Sequence, residues 1–103
     1  MEIDELKIYI DGYEKEIKPW IEKGDYKAAS VYVRGLGTIL HEDLIKNILV
    51  IKLNPYSLPA VTSARLLSDA LKKEDKEKII EESKNLEVNL KQFQMRLEAS
   101  VKS

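Results

Sequence analysis

The chain has 103 residues and not one cysteine, which removes disulfide frameworks, thiol nucleophiles and thiolate zinc sites together. Glycine is scarce, at four residues, and no phosphate-cradling loop can be built from it. Gly35-Leu36-Gly37 lacks the third glycine, the preceding strand and the lysine that such a loop needs. Long apolar runs are missing too. The longest, Ile48 to Ile51, is far short of a bilayer span, and Met1-Glu2-Ile3-Asp4 puts no basic segment ahead of an apolar one. A soluble cytoplasmic protein with no membrane partner is therefore expected. Charge of one sign is not in excess either, because 17 basic and 18 acidic side chains leave a formal net charge of -1. That balance argues against a general electrostatic grip on nucleic acid, so any such contact must be indirect or run through a local basic strip. Nothing resembles a nucleophile with a base and an orienting partner, and paired carboxylates such as Glu81-Glu82 read as a solvated face. Neither a cofactor nor a metal is expected. His41, Glu42 and Asp43 are adjacent, and neighbours on a helix point away from each other.

What is present is a seam. Ile3, Leu6, Ile10, Tyr13, Ile17 and Trp20 recur at alternating steps of three and four, and the pattern resumes at Tyr26, Ala29, Val33, Leu36 and Leu40. Such spacing stacks side chains on one face of an α-helix. Gly24-Asp25 separates the two runs, a glycine able to close one helix in the left-handed conformation and an aspartate able to cap the next. The first helix is expected over about 3–23, kinked near its end by Pro19. The second begins after Asp25 and extends to about Leu53, where Asn54-Pro55 stops it. Gly35 and Gly37 either break this helix or let another approach it closely. The run from Ile45 to Leu53 reads as helix, with a buried strand as the alternative.

Residues 54–57 read as a loop with Ser57 as N-cap, followed by a third helix to about Lys73. The apolar stripe lapses over Lys72-Lys73-Glu74-Asp75 and returns as Ile79, Ser83, Leu86, Leu90, Phe93 and Leu97. This narrow stripe has charged flanks, among them a well-oriented Glu87 and Lys91 pair. At a spacing of fifty, Asp25, Leu36 and Leu40 fall opposite Asp75, Leu86 and Leu90, which would make the halves similar hairpins. The expected fold is thus one all-α domain of four or five helices. Two antiparallel hairpins, about 3–53 and 58–101, form a helical bundle. Abundant Ile, Leu, Lys and Glu, with little Gln, is a composition shared with proteins of hot-growing organisms.

Three sets of residues are candidates for function. Ile8, Tyr9, Val31 and Tyr32 are apolar or aromatic but off the seam, and they need cover from the remaining helices or from another chain. A protein partner or a homodimer is expected there, which makes a non-enzymatic adapter or accessory subunit the leading expectation. Arg34 and His41 are seven residues apart, two turns along one flank that also carries Lys27. With His41 as acid or base, this flank would hold or cleave a phosphate ester. Lys27, Arg34 and Lys84 together are the third candidate, as contacts of a small helical subunit in a nucleic-acid-processing complex.

The run from Trp20 to Ala29, with Gly24-Asp25-Tyr26 and Ala28-Ala29 at its centre, resembles the helix-turn-helix junction of two all-α families. In tetratricopeptide repeats a Gly-Asp-Tyr turn precedes a small residue where Ala29 stands. HEPN domains have a similar entry into their second helix, and many are RNA-cleaving toxins or partners of nucleotidyltransferases. Both resemblances imply a helical bundle. The second also implies a ribonuclease, or its inactive relative, whose arginine and histidine would be Arg34 and His41.

Overall fold

Helical periodicity on both sides of two short polar breaks folds this chain into four helical rods. The computed structural model describes residues 3–46 and 54–102. The first rod runs from α1 (Ile3–Gly12) through a π-helical turn (Tyr13–Ile17) into α2 (Lys18–Glu22). The others are α3 (Tyr26–Lys46), α4 (Asn54–Lys73) and α5 (Lys76–Lys102), and no described residue is in a strand. Helix and strand were the alternatives for 45–53; Ile45 and Lys46 belong to α3, and residues 47–53, with the expected helix end near Leu53, lie outside the described residues.

Pro19 accounts for the π-helical turn. Its ring crowds the carbonyl four residues back, and it has no N–H to give. The helix widens just before it, with the Lys18 N–H bonded to the Tyr13 carbonyl five residues back. The perturbation therefore sits one turn earlier than the kink expected from sequence.

Both hairpin turns use one device. The Gly24 N–H reaches the Ile21 carbonyl at 3.1 Å and the Asp25 N–H the Trp20 carbonyl at 2.9 Å, with Gly24 at φ +83°. Fifty residues on, the Glu74 N–H reaches Leu71 at 3.2 Å and the Asp75 N–H reaches Ala70 at 3.1 Å, with Glu74 at φ 55°. These paired bonds are the Schellman closure of a helix C-terminus. The backbone carbonyls of Asp25 and Asp75 then accept the first bonds of the next helices, from the Ala29 and Ile79 N–H, and the Asp75 carboxylate also accepts from the Lys78 N–H at 3.4 Å. The fifty-residue correspondence seen in the sequence is thus present in the turns themselves.

One expectation is corrected at the start of α4. Residues 54–57 are its first turn and not a loop, because a proline there gives up only a donor that a first turn leaves unsatisfied. Ser57 is no N-cap. It is fully buried, and its hydroxyl has no hydrogen-bond partner among the described residues.

The four rods alternate in direction. Ser30 meets Ser68 and Gly37 meets Ala64, which sets α3 against α4 antiparallel. Asp11 with Gln94 and Lys18 with Glu87 close the first rod onto α5. Ile17, Val33, Leu40, Leu67, Leu86 and Phe93 form the centre of the shared core, each without measurable exposure. Gly37 resolves the alternative posed by its sequence: α3 is unbroken, and a side chain at this position would meet the Ala64 Cβ at 3.2 Å.

Candidate functional site

Close packing of α3 on α4 decides what lies above their seam. Gly37 and Ala64 let the two backbones approach, and Ser30 and Ser68 share a pair of hydroxyls at 3.3 Å beneath the surface. Each of those hydroxyls also reaches the partner's backbone carbonyl at 3.3 Å, so the polar atoms are satisfied within the seam. Because the residues at the seam are small, longer side chains flanking them stand up on both sides of an open groove of about 430 Å³.

Arg34 and His41 form one wall of this groove, and Arg65, Asp69 and Lys72 form the other. The sequence-predicted pair Arg34 and His41 is therefore brought into one groove. All five side chains are exposed. None of the three permanent cations, Arg34, Arg65 or Lys72, has a carboxylate within salt-bridge distance among the described residues. Such a concentration is notable in a chain whose charges balance to -1. Thr38, on the α3 wall, uses its hydroxyl locally, donating to the Arg34 carbonyl at 3.0 Å.

Arg65 and Lys72 were missed by sequence reasoning. Their signal was available, since 65, 69 and 72 are spaced four and three apart and lie on one face of α4. Facing Arg34, however, is a matter of register between two helices, and that depends on the Ser30 and Ser68 contact.

Lys27 is exposed on the same flank of α3, two turns before Arg34. Lys84 is elsewhere. It lines the groove between the first rod and α5, with Lys18, Glu22 and Glu87, so the structure does not bring Lys27, Arg34 and Lys84 together. In that second groove Glu87 accepts from Lys91 at 3.2 Å and from Lys18 at 3.5 Å, and Lys91 foremost holds its carboxyl below the usual range.

Of the off-seam set, Ile8 is 69% exposed and Val31 is 71% exposed, while Tyr9 stands at the surface. Tyr32 is half-buried. It packs edge-on against Trp20, with ring centroids 6.2 Å apart, and its hydroxyl lies against Gly12. Burial first, then Glu16 and Tyr9, raise the Tyr32 pKa, which places those side chains beside it. Val31 is on a different side of α3, where it shares a shallow hollow with Arg34 and Gly35.

No protein family, curated protein or solved structure matches this chain. No described helix is long and apolar enough to cross a membrane, and no three His, Asp or Glu residues among those described are grouped to hold a metal.

Proposed function

We propose that the protein is a small non-enzymatic adapter or accessory subunit that presents a helical face to a larger protein. One observation carries this reading: Ile8 stands 69% exposed beside Tyr9, on a helix whose other face already supplies Ile10 to the core. The bundle's own helices leave Ile8 largely uncovered and Tyr9 partly so, and burying an isoleucine side chain against a partner contributes about 2 kcal/mol. Val31, also off the seam, offers a second apolar contact on another side of α3.

The test is a pull-down with the tagged protein from its source lysate after nuclease treatment. A stoichiometric protein partner is expected, retained by the wild type and lost with Ile8→Glu while circular dichroism remains helical. Val31→Glu is the companion variant, preferred to a change at Tyr32 because the Trp20 contact makes Tyr32 part of the fold. A partner that stays bound to both variants would count against this reading.

A second reading, the HEPN-like ribonuclease or its inactive relative, is favoured by the shared groove of Arg34 and His41. It requires RNA cleavage without added metal that disappears in His41→Ala with the helix content unchanged.

A further inference from the structure

We infer that the groove between α3 and α4 is a binding site for a chain of phosphate groups, held by Arg34 and His41 from one wall and Arg65 and Lys72 from the other. The inference does not rest on the adapter reading: Ile8 is on another helix, and Val31, which borders Arg34 and Lys72 in a neighbouring hollow, carries no part of it.

Charge is the first argument. Among the described residues, three permanent cations and one histidine line a groove that holds a single carboxylate, Asp69, and none of the three is neutralised by an ion pair. Like charges held together in one groove raise its potential and favour an anionic occupant. The ion pairs in the other groove, Lys18 and Lys91 on Glu87, show what a nearby carboxylate does for a lysine on this surface.

The chemistry of the side chains is the second. Two of the cations are arginines, whose planar forks match phosphate oxygens in pairs, and the lysine adds a compact charge. The third argument is length. Arg34 and His41 are seven residues apart, as are Arg65 and Lys72, so each wall carries donors about 10 Å apart along its helix. That span exceeds one phosphate and suits several in a row. Lys27 prolongs the α3 row by two more turns.

The composition of the lining also says what is not read. No aromatic side chain among the described residues lines the groove, so bases have no stacking platform there. Contact is confined to phosphate groups and is blind to sequence. Its ligand is therefore the backbone of a nucleic acid or an inorganic polyphosphate, which share this chemistry.

Fluorescence anisotropy decides the matter, with a short labelled homopolymer RNA titrated by the full chain from about 50 to about 200 mM salt. About four phosphate contacts give a log–log salt slope near -3 on a single strand. The double substitution Arg34→Gln with Arg65→Gln is expected to weaken binding at least about tenfold and flatten the slope by between one and two. Lys84→Gln, in the other groove, is expected to change neither. Unlabelled polyphosphate and unlabelled RNA, matched in charge, then serve as competitors. The stronger of the two identifies the source of the phosphate chain. Three results would overturn the inference: no binding at the low-salt end, equal loss with Lys84→Gln, or polyglutamate competing as well as either phosphate polymer. All three substituted residues are exposed, and far-UV circular dichroism checks that the bundle remains intact.

Discussion

Tyr13 is a seam residue whose phenol is almost wholly enclosed, 2% exposed, with its hydroxyl donating to the Ser83 carbonyl at 3.2 Å. Burial foremost, with the negative charge of Glu87 adding to it, raises its pKa to about 12. The neutral phenol is the form that the fold prefers. Stability from this group is therefore complete below the unfolded pKa of 10.0 and is lost as pH rises towards the folded value of about 12. Across that window the folded chain holds more protons than the unfolded one, and Tyr13 contributes a negative slope of at most about 1.4 kcal/mol per pH unit. Urea midpoints followed through the window are expected to fall, and to fall less steeply in Tyr13→Phe. At neutral pH the same variant is expected to lose about 1 kcal/mol, the net worth of one buried hydrogen bond. An unchanged alkaline slope in Tyr13→Phe would mean that other groups govern it.

At the scale of the element, the two Schellman turns are a matched pair with unmatched residues. Gly24 takes its left-handed φ without penalty, whereas Glu74 holds φ 55° with a side chain attached. Glu74→Gly is expected to stabilise the protein by about 1 kcal/mol, and Gly24→Ala to destabilise it by a similar amount, both read from denaturation midpoints. A second contrast lies within α3. An alanine at Gly35 meets nothing within 4 Å, while one at Gly37 presses on Ala64. Gly35→Ala should gain about 1 kcal/mol from helix propensity, and Gly37→Ala should forfeit that gain to strain in the seam. Equal stabilisation by both would show that α3 and α4 part without cost.

The elements themselves were largely legible in the sequence. Ile10, Tyr13, Ile17, Ala29, Val33, Leu36 and Leu40 are all buried, as the three-and-four spacing requires, because the seam is a local property of each helix. Trp20 and Tyr26 are only half-buried, since they flank the turn where the bundle ends. Residues 54–57 read as a loop in the sequence, yet they open α4, because a proline that would end one helix is equally suited to begin another. The candidate groove was half visible: Arg34 and His41 share a helix, but Arg65 and Lys72 join them only through tertiary register.

Across the whole molecule, burial is uneven. Among its described side chains the first rod buries Ile10, Tyr13 and Ile17, whereas α4 buries Ala60, Val61, Ala64, Leu67, Ala70 and Leu71 as well as three serines. Local opening is easiest where least apolar surface is at stake. Native-state hydrogen exchange is therefore expected to be fastest in the first rod and slowest in α4 and the parts of α3 and α5 packed on it. Uniform protection across all four rods would overturn that ranking.

The Ser30 and Ser68 pair acts on the same scale. Two hydroxyls that each satisfy the other's backbone carbonyl permit only one alignment of α3 and α4. A slide of one turn in either direction would strand both in a dry seam. The pair works as a locating pin, and the two basic walls standing directly above it inherit their spacing from it. The width of the groove at the surface is thus gauged from inside, by two of the least conspicuous residues in the chain.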